Sequence, residues 1–154
     1  MTVASVVPTV TTQAFAHETR CRRFEGRVAI VTGAGQGLGR VIARRIAEEG
    51  ASVVVADIQL EKVCTTAEQL EQETGRPFVA FGGDLSLPGQ AEEMAQLALR
   101  SFGRIDTLVN NAAALIRMRL VDFTEELMQQ AVRGNVWTTL RCCKAVLPAM
   151  CAFR

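Results

Sequence analysis

Between Val31 and Arg40 the chain reads Thr32-Gly33-Ala34-Gly35-Gln36-Gly37-Leu38-Gly39. This run follows four apolar residues, Val28-Ala29-Ile30-Val31, and opens a helical pattern. Glycines at such a turn let the backbone take positive φ and let another group approach closely. The helix start behind them offers unpaired N–H groups and the positive end of its dipole. A turn so built is a seat for a pyrophosphate. The spacing is T-G-x-x-x-G-x-G, with glycines at 33, 37 and 39. The pattern G-x-G-x-x-G is not met, because Leu38 stands at its third glycine when counted from Gly33. The plain counterpart is a tight turn with no ligand.

Asp57 closes the next apolar run, 18 residues after Gly39. A carboxylate at that place accepts hydrogen bonds from the hydroxyls of an adenosine ribose and repels a 2′-phosphate. Positions 58 and 59 hold no arginine, and Gln36 is neutral. These features favour NAD over NADP. The plain counterpart for Asp57 is a solvated carboxylate at a strand end.

The elements that would position these residues alternate. Apolar runs at 28–31, 53–56, 78–81 and 105–109 predict strands. Helical spacing predicts helices over 38–49, 59–73 and 89–101. In the first, Leu38, Ile42, Ile46 and Ala47 share one face, and Glu48 and Glu49 read as polar. Thr124, followed by Glu125 and Glu126, starts further helix to about Met150, bent or divided at Gly134. Strands apolar throughout are buried on both faces. Alternation with helices then gives right-handed crossovers and a parallel sheet. The expected fold is α/β: a Rossmann-type doubly wound parallel sheet in the order 3-2-1-4, truncated after about four strands.

Composition narrows the function. The chain has 154 residues, a formal charge of +1 and 49% hydrophobic content. That is one domain with a core, and no basic stripe interleaved with aromatics points to nucleic acid. No apolar run reaches membrane-spanning length. Five cysteines without a C-x-x-C pair read as free thiols in a reducing, cytoplasmic setting. A single histidine, His17, argues against a zinc site. Residues 1–23 are expected to be a disordered extension or the product of an early start codon, and 24–154 the NAD(P)-binding domain. The extension lacks the basic start and apolar core of a secretory signal.

Four motifs, in order, carry a resemblance over roughly residues 24–150. They are the glycine run, Gly83-Asp84-Leu85 after the third strand, Asn110-Asn111-Ala112-Ala113 after the fourth, and Asn135 in Arg133-Gly134-Asn135-Val136. The chain resembles the short-chain dehydrogenase/reductase family. The resemblance implies that amides around Gly35, Gln36, Gly37 and Leu38 meet the pyrophosphate. It implies that Asp57 holds the adenosine ribose and that Asp84 and Leu85 flank the adenine. It places Asn110, Asn111 and Ala112 at the fourth strand and the cofactor edge, and gives Asn135 a part in a proton relay. Ala113 departs from the family's usual glycine. On residue grounds alone, Asn135 reads as a helix amide bonded to its own backbone.

The implied activity is hydride transfer between a nicotinamide cofactor and an alcohol or carbonyl substrate. The family moves the accompanying proton with a tyrosine made acidic by a lysine, in Y-x-x-x-K, beside a serine. The chain contains no tyrosine and ends nineteen residues past Asn135. The expectation is an N-terminal part that is inactive alone. Two alternatives stand beside it: a non-catalytic NAD-binding or subunit-pairing module, and a non-functional product of truncation or frameshift. The fourth strand is expected to expose an apolar edge. The region 124–150, with Trp137 as a core or interface residue, is expected to join subunits into a homo-oligomer.

Overall fold

A computed structural model describes residues 21–152. Residues 1–20 of the expected 1–23 extension, with His17, and the last two residues lie outside the described residues. Four parallel strands, β1 (Val28–Thr32), β2 (Ser52–Asp57), β3 (Phe78–Gly82) and β4 (Thr107–Val109), form one sheet. Their order is β3-β2-β1-β4, as the alternation predicts. The intervening helices are α1 (Gly37–Glu48), α2 (Leu60–Thr74) and α3 (Gln90–Phe102). After β4 come α4 (Glu125–Val132) and α5 (Thr138–Ala152).

Parity along the central strands divides the core, because successive side chains in a strand point to opposite faces. Ala29, Val31, Val53 and Val55 pack with Ala43, Ile46 and Ala47 of α1 and with Val63, Ala67 and Leu70 of α2. Ile30, Val54 and Ala56 pack with Met94, Ala95 and Ala98 of α3 and with Cys142 and Val146 of α5. This is the doubly wound Rossmann-type arrangement. Burial on both faces holds for β1 and β2, whereas the edge strands β3 and β4 are largely half-buried.

Several local expectations are corrected. β4 begins at Thr107, not at Ile105. Asp106 breaks the run: its carboxylate accepts from the Val28 amide at 2.9 Å, and Arg104 and Arg27 bond to the same carboxylate. Burial pushes that carboxyl up, but Arg104, the Val28 amide and Arg27 outweigh it and hold it below its ordinary value. Leu38 is not a core residue; it is 67% exposed. The inward face of α1 is Gly39, Ala43, Ile46 and Ala47. Trp137 is half exposed, and Arg141 lies over its ring.

The expected division at Gly134 takes a specific form. The helix after Thr124, whose hydroxyl caps it by accepting from the Leu127 amide, passes through a π-helical stretch, Arg133–Trp137, before α5. A Cβ at Gly134 would overlap Ala114, so glycine lets this stretch lie against the loop after β4.

Glu49 is the largest departure from the polar pattern. It is 2% exposed and bonds to Arg23 and Arg45, and its carbonyl accepts from the Phe24 amide. Arg23 thus ties the segment before β1 to the end of α1. The Arg23 hydrogen bond, working against burial and helped by Arg45, holds the Glu49 carboxyl at about 2 instead of 4.5. A depressed carboxyl stabilises the fold above its unfolded pKa and loses that contribution as pH falls through the folded one. The thermal midpoint should therefore fall between pH 4.5 and pH 2. In Glu49→Gln that part of the acid limb should flatten. Parallel limbs for the two proteins, measured by circular dichroism, would contradict this linkage.

Candidate functional site

The carboxyl ends of the strands open into a cleft of about 850 Å³. It lies where the strand order reverses, with β2 on one side of β1 and β4 on the other, the usual place for a ligand in such a sheet. Nine of the thirteen residues given a site role from sequence line it: Gly33, Gln36, Gly37, Leu38, Asp57, Asp84, Leu85, Asn111 and Ala112. Gly35, Gly39, Asn110 and Asn135 do not.

The turn between β1 and α1 is built by close approach. Gly33 and Gly37 adopt positive φ, +63° and +56°. A Cβ on Gly33 would come within 2.8 Å of the Ala112 Cα. Gly39 sits behind the turn, where a Cβ would overlap the Gly33 carbonyl and lie 2.6 Å from the Asn111 amide nitrogen. At the N-cap, Gln36 makes no side-chain capping bond. The first amides of α1 therefore face the cleft without a side-chain acceptor, which is how a helix start receives an anion.

Asp57 serves the turn as well as the cleft. Its Oδ2 accepts from the Gly35 amide at 3.0 Å and its Oδ1 from the Gln59 amide at 3.0 Å. A Cβ on Gly35 would lie 2.9 Å from that carboxylate, so glycine is needed there for space. Lys62 donates to the Gln36 side-chain oxygen at 3.2 Å. Across the cleft, Asp84 accepts from the Ser86 amide at 2.9 Å. Leu85 is mostly buried, within the core cluster under α3.

Asn111 bridges two loops. Its side-chain amide donates to the carbonyls of Thr32 and Gly33, both at 3.0 Å. Asn110 turns away and donates to the Cys143 sulfur of α5 at 3.4 Å. Asn135 donates to the carbonyls of Ala131, at 2.8 Å, and Ala114, at 3.0 Å. The first is the helix-backbone bond open to an asparagine in that position. The second pins the loop after β4 to the π-helical stretch.

Two residues without an assigned role on sequence grounds hold the turn. Thr32, fully buried, donates its hydroxyl to the Val109 carbonyl and accepts from the amides of Asn111 and Ala112. Thr66, on α2, donates to the Gly35 carbonyl at 3.1 Å. Arg133 joins Asp57 and Asp84 as the charged side chains of the cleft lining. Among the described residues no group of histidine, cysteine or acidic side chains could hold a metal, and no helix is long and apolar enough to cross a membrane. Burial raises the Cys142 thiol to about 11, with Cys143 adding to the shift.

Comparison with known proteins agrees with this architecture. The family model for short chain dehydrogenase matches residues 27–153. The 1,6-dihydroxycyclohexa-2,4-diene-1-carboxylate dehydrogenase of Acinetobacter baylyi is 39% identical over 132 residues, covering 84% of this chain and 49% of that protein. The diacetyl reductase, (S)-acetoin forming, of Staphylococcus epidermidis is 36% identical over 114 residues, covering 74% and 44%. The crystal structure of L-sorbose reductase from Gluconobacter frateurii, complexed with NADPH and L-sorbose, superposes with a TM-score of 0.80 at 28% identity. That match covers 84% of this chain and 49% of the reductase. The chain spans about half the length of the curated relatives it matches. With its sheet order, its glycine turn and the match across 27–153, the chain belongs to the short chain dehydrogenase family.

Proposed function

We propose that this chain forms the dinucleotide-holding part of an oxidoreductase that transfers hydride between a nicotinamide and an alcohol or carbonyl. The observation that carries the reading is the uncapped start of α1 behind a glycine turn, facing a cleft at the strand ends. The amides from Gln36 to Leu38 would hold the diphosphate, Asp57 the adenosine ribose, and Asp84 with Leu85 the adenine. Asn111 and Ala112 would set the cofactor edge by fixing the turn. When bound, the nicotinamide supplies the hydride acceptor or donor.

Asp57 supports NAD as the preferred cofactor. Its negative charge disfavours a 2′-phosphate, while ribose hydroxyls can share its carboxylate. The Lys62 ammonium beside Gln36 softens the discrimination without reversing it, since an exposed cation is screened by water. Titration of the 154-residue chain, followed by nicotinamide fluorescence, should show saturable NADH binding, with NADPH weaker by about tenfold, or ~1.4 kcal/mol. Asp57→Asn should narrow the gap. A folded sample with no saturable signal for either nucleotide would refute the reading.

These 154 residues hold no tyrosine. The family's proton transfer to the substrate oxygen therefore needs a segment outside them, and the chain alone is inactive in this reading. Robust NAD reduction by the pure chain with any alcohol would overturn that part. The same observation favours a second reading, an NAD-binding module that pairs with another subunit through residues 124–150. The exposed apolar side chains Trp137, Leu140 and Leu147 of that region support pairing. The free thiols support a cytoplasmic setting.

A further inference from the structure

We propose that Thr66 is a positioning residue for the diphosphate site, acting through the peptide unit between Gly35 and Gln36. The proposal rests on the dinucleotide reading of the cleft.

Thr66 sits at an inward position of α2, with Val63, Ala67 and Leu70, and is 2% exposed. A helical threonine commonly turns its hydroxyl to the carbonyl one turn back. Two other threonines of α2 do so: Thr65 donates to Glu61 at 3.0 Å and Thr74 to Leu70 at 2.7 Å. Thr66 instead donates to the Gly35 carbonyl, 31 positions away. The amide on the other side of the same glycine donates to the Asp57 carboxylate. Both peptide units that flank the Gly35 Cα are therefore clamped, one by α2 and one by the end of β2.

The direction of the clamp matters. The Gly35–Gln36 peptide is trans, so its C=O and N–H point in opposite directions. Thr66 does not line the cleft, whereas Gln36 does. Holding the carbonyl toward buried Thr66 turns the Gln36 N–H outward, to the side where an anion would lie. Without the hydroxyl the carbonyl loses its partner; glycine at 35 leaves one side of this peptide free to turn, and Gln36, extended at φ −164°, allows a partial turn on the other. A peptide turned in this way would swing the Gln36 N–H off the diphosphate and bring the carbonyl oxygen nearer to it, which weakens binding.

The test compares Thr66→Val and Thr66→Ser with the unaltered chain, using ADP and adenosine as probes at a temperature well below unfolding. Thr66→Val should weaken ADP binding about tenfold and leave adenosine, which has no diphosphate, within about twofold. Thr66→Ser keeps the hydroxyl and should restore ADP affinity. Equal losses for both probes, no loss for either, or failure of serine to restore would overturn the proposal. A crystal structure of unliganded Thr66→Val supplies the ligand-independent arm. A rotated Gly35–Gln36 peptide supports the clamp, and an unchanged peptide overturns it. If the unaltered chain binds neither probe, the dinucleotide reading fails on its own, and the peptide orientation still decides whether Thr66 sets the turn.

Discussion

Replacing Gly39 by alanine should destabilise the chain and abolish saturable NADH binding. Helix propensity alone gives the opposite sign, since alanine inside a helix is favoured over glycine by about 1 kcal/mol. Sterics decide here. A Cβ at 39 would overlap the Gly33 carbonyl and press within 2.6 Å of the Asn111 amide nitrogen. Both are backbone or backbone-bonded groups, so neither can swing aside. Relieving the clash means moving the turn or breaking the Asn111 bridge to the carbonyls of Thr32 and Gly33. Overpacking of this kind costs about 1–3 kcal/mol, and each buried polar group left unpaired costs a further ~1–3 kcal/mol. The thermal midpoint should fall by roughly 10 °C for a domain of this size. Gly37→Ala is the control: its Cβ meets nothing within 4 Å, so only positive-φ strain of about 1–2 kcal/mol is added. A Gly39→Ala protein as stable as the parent, by thermal melt, would show that the turn can yield.

Thr32→Val should be the most damaging near-isosteric change in the sheet. The Thr32 hydroxyl is fully buried and makes three bonds, donating to the Val109 carbonyl at 3.2 Å and accepting from the amides of Asn111 at 3.1 Å and Ala112 at 3.0 Å. Valine keeps the volume and strands the Ala112 amide, whereas the Asn111 amide and the Val109 carbonyl keep their bond to each other at 3.2 Å. One stranded amide at ~1–3 kcal/mol, with two hydroxyl bonds lost beside it, puts the loss at about 2 kcal/mol. Urea unfolding should show a lower midpoint with an unchanged slope, because the surface exposed on unfolding is the same. Thr32→Ser, which loses a methyl and keeps the hydroxyl, should cost about 1 kcal/mol. Valine and serine variants of equal stability would remove the hydroxyl from its central role.

The sequence is most legible where one signal dominates. Unbroken apolar runs place β1 and β2, and alternation with helices leads to the observed strand order. Misreadings occur where a polar side chain does structural work. Asp106 shortens β4 by bonding to the Val28 amide, and Glu49 is buried because Arg23 and Arg45 neutralise it. Hydropathy assigns Glu49 to solvent and passes over Asp106 inside a run read as strand. Leu38 looks like a core residue by spacing but belongs to the first turn of α1, which faces the cleft. Within the site, glycine spacing and Asp57 mark the cleft, whereas Asn110 and Asn111, adjacent and identical, diverge to α5 and to the turn. Thr66 leaves one trace in the sequence: a polar residue at an inward position between Val63 and Ala67. That trace says a partner must exist and cannot say where, because the partner is a carbonyl brought close only by folding.

The π-helical stretch at 133–137 also fixes an angular phase. Each residue added to or removed from a helix rotates everything beyond it by about 100°. In the observed register, Asn135 reaches Ala114 on one side while Cys142 and Val146 enter the core beside α3. Deleting one residue between Gly134 and Trp137 would allow a continuous α-helix, but it would wheel Cys142 and Val146 out of the core or swing Asn135 away from its loop. The wide turn acts as a one-residue spacer that lets a single helical rod satisfy two incompatible facings, so, Gly134 and Asn135 apart, this short stretch should tolerate substitution far better than any change in length.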